Sequence, residues 1–278
     1  ITNIVIKALI VGLLVSLCSS LLGVSLVLKR YSLIGDGLSH VGFFAMAVAA
    51  LFQVSGDYSL EIAIPVVVIT AIVILRMSEN GKLKGDAAIA IVSTAGLAIG
   101  SIIFNMTGNG TKDICTSLFG STNIFTIDSK DLILSVILSV AVLILFIVFY
   151  TKIFAITFDD TFARATGTKT GIYNMMLAVL TAVTIVLGMK MMGAIMISGL
   201  IVFPALSSMR ICKSFKTVVI TSAIVSVFCF LSGFFIASRY SLQTGPTVIT
   251  VNVIIFVVFA IIGAVAGRLL LKKAGKSK

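Results

Sequence analysis

An all-α, polytopic transmembrane bundle of eight or nine helices is the fold class this sequence predicts, and three observations predict it. Apolar residues make up 59% of the 278, and the mean hydropathy is +1.21. Charged residues are 11% of the chain, about half the share of a soluble domain. The apolar residues gather into nine runs, near 4–28, 32–54, 60–77, 86–106, 131–150, 172–188, 192–209, 216–238 and 247–271. Such a chain has too little polar surface to wrap a globule in water, which excludes disorder and an ordinary cytosolic enzyme; its solvent is the lipid bilayer.

Each run is justified by length, since about 20 residues at 1.5 Å per residue cross about 30 Å of hydrocarbon. The first run is too long for a signal-peptide core and leads through Lys29-Arg30 into another apolar run without a small-residue cleavage site, so it reads as a membrane helix. In the fourth, Gly96 and Gly100 lie four residues apart, which permits close helix contact. The sixth and seventh runs are separated only by the stretch from Gly188 to Gly193, short enough to make a broken or re-entrant helix an alternative to a full exit. The four cysteines, Cys18, Cys115, Cys212 and Cys229, have no CxxC spacing and are expected unpaired. No repeat or low-complexity stretch divides the chain, so residues 1–278 are expected to form one membrane domain.

The net charge of +11 follows a pattern. If the first helix runs outside to inside, sixteen of the 21 Lys and Arg fall in cytoplasmic segments and only Lys7, Lys112, Lys130, Lys190 and Arg239 remain opposite. The positive-inside rule therefore predicts an outer N-terminus and a cytoplasmic C-terminus. The basic excess belongs to those loops rather than to nucleic-acid binding.

The unusual polar residues lie in Tyr31-Ser-Leu-Ile-Gly-Asp-Gly-Leu-Ser-His40, which holds Asp36 and the one histidine of the chain, His40. A helix beginning near Tyr31 would carry His40 about 14 Å inward, where ionisable groups face a cavity or a transport path. The i, i+4 spacing places carboxylate and imidazole on one face, able to hold one divalent cation. A local alternative has Asp36 capping the helix after Gly35 and His40 satisfied by a neighbouring carbonyl. Two ligands per chain fall short of the four that zinc takes. A homodimer with its axis beside this helix would double them into a mixed N/O set suited to zinc or manganese. The clustered Met189, Met191 and Met192 read as membrane core filler.

Phosphate chemistry is missing, because Gly275-Lys-Ser277 has Leu270 where a phosphate-binding loop needs glycine. Any nucleotide hydrolysis must come from another subunit. The cytoplasmic segment at about 151–171 contains Phe158-Asp-Asp-Thr-Phe-Ala-Arg-Ala-Thr-Gly167. Asp159 or Asp160 can start a short helix there and Gly167 can end it, presenting Phe158 and Phe162 at i, i+4 either to a partner or to lipid. On the outer side, the polar stretch from Asn105 to Lys130 is the longest loop and could receive a delivery protein.

Four segments together carry a resemblance. Leu28-Lys-Arg-Tyr-Ser-Leu-Ile-Gly-Asp-Gly-Leu-Ser-His40, Phe158 to Gly167, Met192-Gly-Ala-Ile-Met-Ile-Ser-Gly-Leu-Ile-Val-Phe-Pro-Ala205 and Thr244-Gly-Pro-Thr-Val248, with Leu118-Phe-Gly120 between the first two, resemble in order the permease subunit of zinc and manganese uptake ABC transporters. The resemblance covers nearly the whole chain. It implies the ABC importer permease architecture, a homodimer, separate cytoplasmic ATP-binding subunits that hydrolyse ATP, an extracytoplasmic metal-binding protein, and a bacterial-type plasma membrane location. It implies no permanently bound cofactor, since the divalent metal is cargo, and no catalytic residue in this chain. By residue, Asp36 and His40 match positions that contact the metal, while Phe158, Asp159, Phe162, Ala163, Arg164 and Gly167 match the coupling helix that docks in the ATPase. Where that family often has Pro-Glu, this chain has Asp160-Thr161.

The expected cargo is zinc or manganese, with iron as a further candidate. A secondary, ion-coupled metal transporter would use the same Asp/His pair without an ATPase, and an ABC permease for a metal chelate would not require a narrow ligand pair. An intramembrane metallohydrolase would need about three protein ligands and an open water position, which one histidine and no HExxH disfavour.

Overall fold

A computed structural model describes residues 2–52, 59–79, 85–107, 110–120 and 129–274 of the chain. All regular structure within them is helical: α1 (Thr2–Leu28), α2 (Ile34–Leu51), α3 (Ser59–Glu79), α4 (Gly85–Met106), α5 (Gly110–Phe119), α6 (Ser129–Val148), α7 (Tyr150–Phe158), α8 (Asp160–Ala165), α9 (Thr170–Met192), α10 (Ala194–Ile211), α11 (Phe215–Tyr240) and α12 (Thr244–Ala274). Each apolar run is centred on one of these helices. By length and composition, seven described helices can cross a membrane, and Leu132–Val148 with Tyr150–Phe158 forms a pair bent by 70° that brings the number to eight.

Helix α1 runs through the middle of the bundle, packed on α6, α9, α10 and α11. Small polar side chains let it approach closely. Ser226 Oγ of α11 donates to the Ser16 carbonyl at 2.9 Å, and Cys18 Sγ donates to the Ser139 carbonyl of α6 at 3.4 Å. Gly23 sits so near the Ile201 carbonyl of α10 that a Cβ there would lie 2.0 Å from its oxygen. In contrast, α4 and α12 turn much of their apolar surface outward, including Ile99, Ile102, Ile254 and Ile261, as lipid or a neighbouring subunit requires. The four cysteines are unpaired as expected.

Three features correct or sharpen the sequence reading. The loop expected between Asn105 and Lys130 contains a ten-residue helix, α5, packed against α4, α9 and α10; residues 121–128, with Asp128, lie outside the described residues. Helices α9 and α10 are separated only by Gly193, whose φ of 90° is accessible to glycine and strained for other residues. The chain then returns alongside itself, with Gly188 against Ile197, so these are two crossings rather than one broken helix. Finally, three elements meet through main chain. A Cβ on Gly193 would lie 2.3 Å from the Gly120 nitrogen, one on Gly120 2.6 Å from the Met192 oxygen, and one on Gly245 2.6 Å from the Phe119 oxygen.

Candidate metal pair and coupling segment

Helix α2 begins later than the sequence suggests. Arg30, with φ of 64°, ends the turn after α1, and the helix starts at Ile34 with Leu33 as a cap lacking any side-chain hydrogen bond. His40 therefore follows the helix start by six residues, about 9 Å of rise rather than about 14 Å. Asp36 lies in the first turn and does not cap it, so its local role there is that of a first-turn carboxylate at the positive end of the helix dipole.

The pair faces together as its spacing demands. His40 Nε2 lies 3.9 Å from Asp36 Oδ1, with the imidazole 17% and the carboxylate 51% exposed. His40 Nδ1 is 2.7 Å from Ser93 Oγ of α4. With Nδ1–H donated to that hydroxyl, Nε2 presents its lone pair toward the Asp36 side, the orientation a metal-ligating imidazole needs. Donors on a tetrahedral ion with arms of about 2 Å stand about 3.3 Å apart, so a small side-chain rotation would let both bind one cation.

Close packing of α4 makes this possible. Gly96, one half of the glycine pair seen in the sequence, lies against the His40 carbonyl, where a Cβ would sit 3.0 Å from the oxygen, and Gly100 lies against Phe43. These contacts bring Ser93 within reach of the imidazole. Sequence reasoning missed Ser93, because no local signal marks a serine 53 residues from its partner. Among the described residues no group of three or more His, Cys, Asp and Glu converges, so each chain offers two strong ligands here.

The coupling segment is built differently from its expected form. Phe158 ends α7 and Phe162 belongs to α8, because Asp159 between them is extended at φ −150° and ψ 98°. The two aromatics therefore stand on either side of a helix junction instead of on one helical face. Phe158 is 59% exposed and stacks on Phe154 and Phe215 with centroids 4.9 and 5.8 Å away, while Phe162 is 66% exposed. Ala163 is buried beneath them.

Asp159, not Asp160, is the cap. Its Oδ1 accepts from the Phe162 amide at 2.9 Å and from Thr161 Oγ1 at 2.6 Å. The amide bond first, then the hydroxyl, hold its carboxyl below the usual carboxylate range. At the other end Gly167, with φ of 82°, donates to the Arg164 carbonyl and Thr168 donates to that of Ala163, each at 3.0 Å. This is the paired closure that satisfies the last carbonyls of a helix.

Asp160 has a different task. Its Oδ2 lies 3.6 Å from Arg164 Nη2, and its Oδ1 accepts from Asn174 Nδ2 of α9 at 3.3 Å. Asn174 Oδ1 in turn accepts from Lys29 at the end of α1. A polar chain thus ties α8 to α9 and to the end of α1 through Asn174, which local sequence patterns did not single out.

A bundle with seven or eight candidate membrane crossings, an Asp/His pair near one helix start and a capped short helix between two of the crossings has the architecture of a membrane permease component. The chain belongs to the ABC 3 transport family, which matches residues 2–263. It is thus a multi-pass permease subunit of an ABC metal-uptake system, without an ATPase domain of its own. Among relatives, the manganese import system permease protein ScaB of Streptococcus gordonii is 26% identical over 252 residues, covering 91% of this chain and 88% of that protein. The high-affinity zinc uptake system membrane protein ZnuB of Haemophilus influenzae is 27% identical over 255 residues, covering 92% and 96%. Among solved structures, PsaBC from Streptococcus pneumoniae in complex with Fab superposes with a TM-score of 0.79 at 25% identity, covering 92% of this chain and 90% of that one.

Proposed function

We propose that this chain, as a homodimer, moves a divalent transition metal ion, zinc or manganese, into the cytoplasm through a path ligated by Asp36 and His40. The observation that carries the reading is the imidazole turned by Ser93 so that Nε2 meets the Asp36 carboxylate on one face of α2. Two ligands leave a zinc or manganese ion undersaturated, and the half-exposed carboxylate leaves room for a second subunit's pair to complete the set. Iron fits the same donors less specifically, and relatives named for manganese and for zinc support a borderline divalent cargo.

Separate ATPase subunits supply the energy and a metal-binding protein delivers the ion from outside. The whole chain acts as one permease domain in a bacterial-type plasma membrane, with the C-terminus cytoplasmic as the distribution of Lys and Arg requires. Closure of the ATPases displaces α7 and α8 through Phe158, Phe162 and Arg164, and the bundle alternates between outward and inward access. The ion binds deprotonated ligands.

Uptake into liposomes containing the permease, its ATPase and its delivery protein tests this reading. ATP-dependent entry of Zn or Mn in wild type, lost in Asp36→Ala and His40→Ala with ATPase association retained, is the expected result. Unchanged uptake in both variants overturns it, and the wild-type ion profile names the metal.

A further inference from the structure

Beside the coupling segment, the ends of α3 and α9 frame a cleft of about 630 Å³, within the range of about 300–1,000 Å³ typical of small-molecule sites. Its charged lining consists of Arg76, Arg164 and Lys169, with no carboxylate among the described lining residues. Arg164 pairs with Asp160 at 3.6 Å, whereas Arg76 and Lys169 enter no ion pair among the described residues. The remaining wall is largely apolar, formed by Ile72, Leu75, Ile172 and Met175.

The order of these residues along the two helices gives the cleft a direction. On α3, Ile72 precedes Arg76 by one turn and Arg76 lies in the last turn; on α9, Ile172 and Met175 follow Lys169, the residue at the helix start. The cations therefore sit at the helix ends and the apolar wall lies toward the middle of the bundle, on both sides alike. Ile172 and Met175 are open to the outside of the subunit at 61% and 40% exposure.

We propose that this cleft binds an anionic glycerophospholipid of the cytoplasmic leaflet, its phosphate held by Arg76 and Lys169 with Arg164 behind them, and an acyl chain laid along Ile72, Leu75, Ile172 and Met175. Charge complementarity selects an anion, since Arg76 and Lys169 face one opening beside the Asp160-paired Arg164 and no carboxylate is among its described lining residues. The apolar wall toward the bilayer selects a lipid over an acidic protein segment, which would meet the cations from the cytoplasm and leave that wall unused. Because Arg164 belongs to α8, a bound headgroup also bears on the setting of the coupling segment. The inference rests on the cytoplasmic placement of these helix ends in the reading above.

The test uses the assembled permease–ATPase complex in nanodiscs of mixed phosphatidylglycerol and phosphatidylcholine, with retained lipid measured by native mass spectrometry. Wild type is expected to retain phosphatidylglycerol preferentially. The Arg76→Gln/Lys169→Gln variant is expected to lose that preference by about thirtyfold, two surface cations' share, with the ATPase still bound. The charge-conserving Arg76→Lys/Lys169→Arg variant, which controls for misfolding, is expected to keep it. Equal retention by wild type and the glutamine variant overturns the proposal. So does loss of the ATPase from the glutamine variant in pure phosphatidylcholine, which would assign the cleft to an acidic segment of that subunit. A C-terminal reporter fusion reads the orientation independently, and metal uptake by wild type reads the transport function, so failure of either is distinguishable from failure of the lipid site.

Discussion

The two ends of this molecule's working path are built on opposite principles. At the coupling-type segment, α8 is closed within one chain: Asp159 satisfies the amide of its third residue (Phe162), Gly167 and Thr168 close its last carbonyls, and Asp160 ties it through Asn174 to Lys29. At the Asp36/His40 pair, the orientation of His40 is secured by Ser93, and among the described residues the Asp36 carboxylate has no closer partner than the imidazole at 3.9 Å. If α8 docks a partner, local hydrogen bonds let it keep its shape while it transmits force; if the pair carries an ion, its open valence lets the ion exchange.

The largest effect expected from breaking this contrast is at the open end. His40→Ala is predicted to lower ATP-driven uptake at least about a hundredfold, since a ligand is lost outright, with ATPase binding unchanged in a co-purification assay. Retained uptake would show that the ion takes another route. Next in size, Ser93→Ala is predicted to weaken metal affinity by about tenfold, the effect typical of removing the partner that orients a histidine ligand. Ser93→Thr restores the hydroxyl and is expected to recover most of the affinity, measured by isothermal titration.

At the closed end, Phe162→Ala is predicted to weaken ATPase association several-fold while metal affinity stays at the wild-type level. Phe162 has no close ring contact among the described residues, unlike Phe158, whose stacking on Phe154 and Phe215 mixes docking with local packing. The smallest effect belongs to Gly167→Ala, which places a side chain at φ of 82° and costs about 1–2 kcal/mol of local backbone strain. No atom lies near enough to obstruct the added methyl, so Gly167→Asn should be milder; faster amide exchange in α8 of the alanine variant is the readout.

Acid tests the cap. The lowered carboxyl of Asp159 contributes stability that is present above the ordinary Asp range and lost only as pH falls through its depressed value, so the cap survives mild acid. Between neutral and mildly acidic pH, ATPase association is therefore expected to hold in a co-purification assay. Its decline over that range would show that α8 does not depend on the Asp159 cap.

The sequence disclosed what is local. Hydropathy marked each apolar run because twenty neighbouring residues suffice to express it, and Asp159 and Gly167 were visible because capping chemistry acts within one turn. Asp36 and His40 were found together for the same reason. What escaped depends on distant approach. Ser93 becomes relevant only when Gly96 lets α4 press on α2, and Asn174 only when α9 passes over α8. The polar composition of α5 concealed a helix held by its packing, and one extended residue at Asp159 was enough to separate two phenylalanines that their spacing had joined.

The meeting of Gly120, Gly193 and Gly245 bears on how this protein can vary over generations. Because peptide touches peptide there, no compensating side chain can be trimmed to admit even an alanine. In a saturation library selected for growth on scarce metal, these three codons should remain glycine as a linked set. Substitutions elsewhere on the bundle's lipid face would drift freely among apolar residues, making the clasp a more durable marker of descent than the exposed surface around it.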